Sequence, residues 1–123
     1  VGLLLDTGHM CFAGGDIARV IEQHGRRIKH VHAKDIREDI LTGVDPERMS
    51  FLDCVLDGVF TVPGDGAIDF QSVAQCLAAV EYEGWVIVEA EQDPTRANPF
   101  EYAKKGYTAL ASALTGAGYE INA

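Results

Sequence analysis

Three short apolar runs in this chain each end in a residue that can ligate a metal. Val1–Leu5 runs into Asp6, followed by Thr7, Gly8 and His9; Ile28–Val31 runs into His32; Trp85–Val88 runs into Glu89. Short apolar runs bounded by turn signals read as strands covered on both faces, as in a parallel α/β sheet. In such folds the side chains at strand C-termini converge on one face, and that face carries the active site. An Asp, a His and a Glu delivered there make a mixed nitrogen and oxygen site for a divalent ion.

Between the runs the periodicity becomes helical. Gly2–Asp6 reads as the first strand and His9–Gly15 as a loop of small residues. Asp16 caps a helix over 17–24, with Ile17, Val20, Ile21 and His24 on one face and Gly25 as its stop. Ile28–Ala33 is the second strand. The polar stretch Lys34–Pro46 is long for a βα connection, and long connections are often functional. A short helix follows over Met49–Leu56, ended by Gly58, then a brief extended piece at Val59, Phe60 and Val62 and a tight turn at Pro63–Gly66. Asp69 caps a helix that buries Phe70, Val73, Leu77 and Val80, and Gly84 stops it. Trp85–Glu89 is the third strand. Asn98 and Pro99 open a last helix expected to bury Ala103, Tyr107, Leu110 and Leu114, with a frayed tail from Thr115. The order is β-α-β-α-β-α with one elaborated connection. It predicts an α/β fold in which residues 1–123 are one piece of a (β/α)8 barrel, because three free-standing strands would leave edges and apolar faces open.

Apolar residues make up 47% of the chain, enough for a core. The net charge of −9 and the scattered Lys and Arg argue against a nucleic-acid partner. No apolar run approaches the ~20 residues of a membrane helix, and Cys11, Cys54 and Cys76 show no ligand spacing, which fits reduced thiols in the cytoplasm. The chain opens without Met, inside what reads as a strand, and is expected to be part of a longer polypeptide.

Several residues could carry chemistry. Asp6 follows an apolar run, where a carboxylate is costly unless paired, metal-bound or capping a helix. His9, past Gly8, could bind substrate or move a proton. His30 and His32 share one side of a strand, and His32, nearer its end, is the better ligand. Lys34 and Asp35 follow at the strand mouth, where a lysine can hold an enolate oxygen or transfer a proton. Glu89 and Glu91 also share a side; Glu89 ends the apolar run and is the better ligand.

The strings LLLDTGHMCFAGGD, IKHVHAKDIR, FLDCVLDGVFTVPGDGAIDF and WVIVEAEQDPTRANP resemble the inosose dehydratases, which belong to the xylose isomerase-like TIM barrels. The resemblance implies that the chain is the C-terminal three β/α units of a barrel of roughly 300 residues. By motif, Asp6, His32 and Glu89 correspond to an Asp, a His and a Glu of the family's metal site. The remaining ligand, a Glu, would fall in an earlier strand outside this chain. His9, Lys34 and Glu91 are the expected catalytic residues, and His9, Lys34, Asp35 and Arg37 the expected substrate contacts. The implied reaction is metal-dependent loss of water from 2-keto-myo-inositol to a cyclohexane dione through an enediolate. The implied cofactor is Mn²⁺ or Co²⁺, with glutathione as a family association. The implied partners are a cyclic polyol ketone and either the N-terminal half of the barrel or a second copy. A sugar isomerase or epimerase sharing the first step, and a non-catalytic half-barrel module, are the alternatives. An endonuclease of the same superfamily would need more His ligands and a basic groove.

Overall fold

The computed structural model describes residues 1–122. Its framework is a three-stranded parallel sheet made of β1 (Leu3–Asp6), β2 (Ile28–Ala33) and β5 (Trp85–Val88), in the order β1-β2-β5. Side chains alternate across such a sheet. Leu5, Val31 and Ala33 are buried on one face, with Val86 and Val88 packed against them. That face is covered by three helices, α2 (Ile17–His24), α5 (Phe70–Ala79) and α6 (Pro99–Gly116), which contribute Ile21, Phe70, Ala74, Leu77 and Leu110 to the core. Leu4, Trp85 and Ile87 lie on the opposite face and are exposed. A sheet with helices on one face and apolar side chains on the other is a segment of a barrel wall, its inner surface turned toward the axis.

The register places the site. Asp6 pairs with His32, and His32 with Ile87. The Glu89 amide donates to the Ala33 carbonyl at 3.2 Å, extending the ladder past the end of β5. Glu89 is therefore on the same face as Ile87, His32 and Asp6, at the C-terminal ends of three neighbouring strands.

The expected loop at His9–Gly15 is instead a short helix, α1 (Thr7–Phe12), because Asp6 caps it by accepting from the His9 amide at 2.9 Å. The connection after β2 is built rather than loose. It holds β3 (Asp35–Ile36), α3 (Glu38–Leu41), α4 (Phe51–Asp57) and β4 (Phe60–Thr61), with β3 and β4 paired antiparallel. Ser50 and Asp53 form a capping box that opens α4, two residues later than its sequence period indicated. Ile36, Cys54, Val59 and Phe60 make a second small core, against which Phe12 of α1 packs. Ala103 and Tyr107, expected to be buried, are exposed: both border an open groove along β5, next to Trp85. Helix α6 continues through Thr115 to Gly116 rather than fraying. The cysteines are unpaired. No described helix is long and apolar enough to cross a membrane.

Candidate functional site

Asp6, His32 and Glu89 each bring one ligand atom to a common point, with all three atoms within 4.8 Å of one another. Asp6 divides its oxygens. Oδ1 caps α1, and Oδ2 lies 3.6 Å from His32 Nδ1. Both readings of this carboxylate, cap and ligand, thus fit on separate atoms. His32 Nδ1 lies 2.9 Å from Glu89 Oε2, yet that oxygen is buried and has no hydrogen-bond partner. The imidazole nitrogen and the carboxylate oxygen are close but not aimed at each other. A buried carboxylate oxygen with no well-aimed donor, set between an imidazole nitrogen and the Lys34 ammonium 3.2 Å away, is of the kind that ligates a cation. His30 packs its ring edge-on against His32 at 5.2 Å and limits its rotation.

Lys34 sits behind this point. Its side chain is 0% exposed, and Nζ lies 3.2 Å from Asp6 Oδ2, 3.2 Å from Glu89 Oε2 and 2.9 Å from Glu91 Oε2. Burial works against the ammonium, but Glu91, Asp6 and Glu89 outweigh it and hold its pKa above the ordinary lysine value. Glu91 is opposed by its own burial, but Lys34 and His9 hold its carboxyl below the usual range. Glu91 is then an ionised acceptor at neutral pH. His9 Nε2 lies 2.7 Å from the same Oε2 and 3.2 Å from Lys34 Nζ, and because an ionised carboxylate only accepts, the tautomer with a hydrogen on Nε2 lets His9 and Lys34 donate to one oxygen. Asp6, Glu89 and Glu91 thus surround the single Lys34 ammonium, an acidic setting that suits a divalent cation.

Asp35 and Arg37, the other two expected substrate contacts, do not join this cluster. The Asp35 carboxylate is fully buried and accepts four backbone amides: Ile36 and Ile68 on Oδ1, Gly64 and Gly66 on Oδ2. No acceptor capacity is left for a ligand. Arg37 donates to the Gly58 carbonyl at 2.6 Å, to Thr61 Oγ1 at 3.0 Å and to Asp65 Oδ2 at 2.7 Å, and Lys105 also binds Asp65. Its guanidinium is spent on closing the connection between β3 and β4. The run Lys34-Asp35-Ile36-Arg37 thus sends one charged side chain into the site and two into the scaffold beside it.

Three residues that composition and spacing did not single out support Lys34. Thr7 Oγ1 donates to the Lys34 carbonyl at 2.6 Å and accepts from the Lys34 amide at 3.0 Å, fixing the backbone just past β2. A Cβ on Gly8 would meet Lys34 Cγ at 2.7 Å, so only glycine leaves room for the lysine stem. The ring of Phe60, 0% exposed, lies under Nζ at 5.4 Å and edge-on to His9 at 5.2 Å. The sequence holds one signal for this: a small residue between Thr7 and His9.

Comparison with known proteins identifies the fold family. A sequence model of the xylose isomerase-like TIM barrel family matches residues 1–113. The inosose dehydratase of Geobacillus thermodenitrificans is 58% identical over 85% of the chain and 35% of its own length. That of Clostridium tetani is 59% identical over the same shares. The rhizopine catabolism protein MocC of Rhizobium meliloti is 49% identical over 99% of the chain and 38% of its own length. The chain thus spans a little over a third of these curated relatives. The apo crystal structure of the 3-keto-D-glucoside 4-epimerase YcjR from E. coli superposes with a TM-score of 0.55 at 23% identity, covering 94% of this chain and 34% of that one. This last likeness concerns the fold.

Proposed function

The chain belongs to the xylose isomerase-like TIM barrel family, and from that premise we propose that it supplies the C-terminal three β/α units of a cytoplasmic, metal-dependent inosose dehydratase. The substrate is a cyclic polyol ketone, 2-keto-myo-inositol, and the product a trihydroxycyclohexane dione. The observation that carries the reading is the pairing of a buried ammonium with three converging ligand atoms at strand C-termini. The inosose dehydratases at 58% and 59% identity support the choice of dehydration over isomerisation.

Asp6, His32 and Glu89 would hold Mn²⁺ or Co²⁺, whose preference for mixed nitrogen and oxygen donors suits the set. When bound, the ion supplies Lewis-acid polarisation of a ketone and its neighbouring hydroxyl. Lys34 stays protonated, so it donates to oxygen and stabilises the negative charge that develops when the proton α to the carbonyl leaves. Its burial makes that charge effective, since no water screens it. His9, with its side chain 43% exposed, is open to solvent. With its Nε2 proton held by Glu91, it is placed to deliver that proton to the β-hydroxyl, which leaves as water, and the proton taken from the α-carbon restores the donor. Glu91 keeps His9 in one tautomer and orientation.

The direct test is an assay of the full-length protein with 2-keto-myo-inositol, reading loss of water by mass spectrometry. Dione should form, activity should stop on chelation, and Mn²⁺ or Co²⁺ should restore it. A ketose isomer of unchanged mass would replace this reading with isomerisation. We expect His32→Ala to weaken metal binding about a hundredfold, measured by titration calorimetry, with the fold retained. Unchanged metal affinity would remove His32 from the ligand set.

A further inference from the structure

We infer that Phe51 is the apolar wall of the substrate cleft, against which the C–H face of a cyclic polyol rests. The inference rests on the proposed dehydratase reading and adds a specificity residue to it. The converging ligands and the groups that pair with them are all charged or polar: Asp6, His9, His32, Lys34, Glu89 and Glu91. A polyol ring also has C–H faces, and these need an apolar partner to be recognised over water. Phe51 is the half-exposed aromatic beside His9. Its ring centroid lies 5.7 Å from the imidazole, edge-on, and its surface is 48% exposed.

The surroundings fix this ring in place. Phe51 is the first residue of α4, directly after Ser50, whose capping box with Asp53 sets the start of the helix. Its ring meets Phe12 at 5.8 Å and Phe60 at 5.6 Å. Phe60 in turn touches both His9 and Lys34. Three aromatic rings therefore form a rigid shelf, buried at Phe60 and open at Phe51. A large apolar side chain left half in solvent loses free energy that substrate binding recovers. The ring is preorganised, so little entropy is lost when a ligand seats on it.

The experiment compares Phe51→Ala, Phe51→Leu and Phe51→Trp with the wild type in the full-length protein, using 2-keto-myo-inositol. Uniform binding to ring carbons predicts a KM effect rather than a kcat effect. Phe51→Ala should raise KM about tenfold, with kcat held within about threefold. Phe51→Leu should fall between, and Phe51→Trp should keep KM near the wild-type value. A fall in kcat at constant KM would show that Phe51 only positions His9, and would overturn the inference. A lower melting temperature with both constants unchanged would show that the ring is buried against the rest of the barrel, and would overturn it too. If the wild type does not dehydrate this substrate, the dehydratase reading fails by itself. The wall is then read with myo-inositol by saturation-transfer NMR. Transfer from aromatic protons that is lost in Phe51→Ala supports it, and equal transfer in both proteins overturns it.

Discussion

Lys34→Met in the full-length protein is expected to lower kcat for dehydration about 10³-fold. Methionine matches the unbranched stem that threads past Gly8, so the cleft stays filled while the charge goes. What is lost is the donor within 3.2 Å of Asp6 and Glu89 and 2.9 Å of Glu91. Metal content should be kept or rise, because a positive charge has been taken from beside two of the candidate ligands. Lys34→Arg should not rescue turnover: the planar guanidinium is wider, and a Cβ at Gly8 already falls 2.7 Å from the lysine stem. The lysine's pKa is raised in the fold, so its electrostatic contribution is complete below the ordinary lysine value. It is lost only as pH climbs through the higher folded value. The defect should therefore be flat across neutral pH. Steady-state kinetics, metal analysis and circular dichroism on purified variants check this. A Lys34→Met protein with kcat within about tenfold of wild type would remove Lys34 from the chemistry.

The parts of the site carried by strands were legible in the sequence, because an apolar run that stops at a polar residue announces both the strand and the direction of its end. Asp6, His32 and Glu89 converge for that reason, and their register follows from period-2 alternation. The parts carried by the connection were not legible. Phe60 reads as one apolar residue among several, and only the pairing of β3 with β4 brings it under Lys34. The placement of Asp35 and Arg37 was not legible either. They are charged, follow the strand mouth directly and share a string with Lys34, so spacing grouped them with the chemistry. Burial separates them: Asp35 turns inward to collect amides that have no other acceptor. Periodicity does not show which side chain in a charged run turns in. Likewise α6 looked more deeply buried than it is. Its apolar stripe is real, but Tyr107 faces an open groove rather than a core.

Asp35→Ala should be the most destabilising polar substitution in this region, at about 4 kcal/mol. The carboxylate gathers amides at 2.8 Å from Ile36, 2.9 Å from Ile68, and 3.1 Å from both Gly64 and Gly66. Each buried amide left without an acceptor costs about 1–3 kcal/mol, reduced where water enters the space. Asp35→Asn should also destabilise, because its amide turns a donor toward one pair of these N–H groups in either orientation. The close fit leaves no alternative arrangement. A Cβ on Gly66 would sit 2.5 Å from Asp35 Oδ1 and 2.4 Å from the Ile36 carbonyl. The pH dependence has a definite sign. Burial raises the Asp35 pKa more than the four amides lower it, so the folded state holds the proton more tightly than the unfolded chain. Ionisation of Asp35 therefore costs stability at neutral pH, and the cost is relieved below the ordinary aspartate value of about 3.9. Its neighbour Asp65 runs the other way. Burial opposes it, but Lys105, Thr61 and Arg37 hold its pKa low, so its contribution is present above the ordinary value and is lost as pH falls through the folded one. Thermal unfolding at pH 7 should show Asp35→Ala melting about 10 °C below wild type. Because Asp35 also aligns β3 with β4, and through them Phe60 against His9 and Lys34, residual activity at low temperature should fall along with stability. An Asp35→Ala protein of wild-type melting temperature would mean that the four amides find other acceptors, and that this carboxylate does not hold the connection in place.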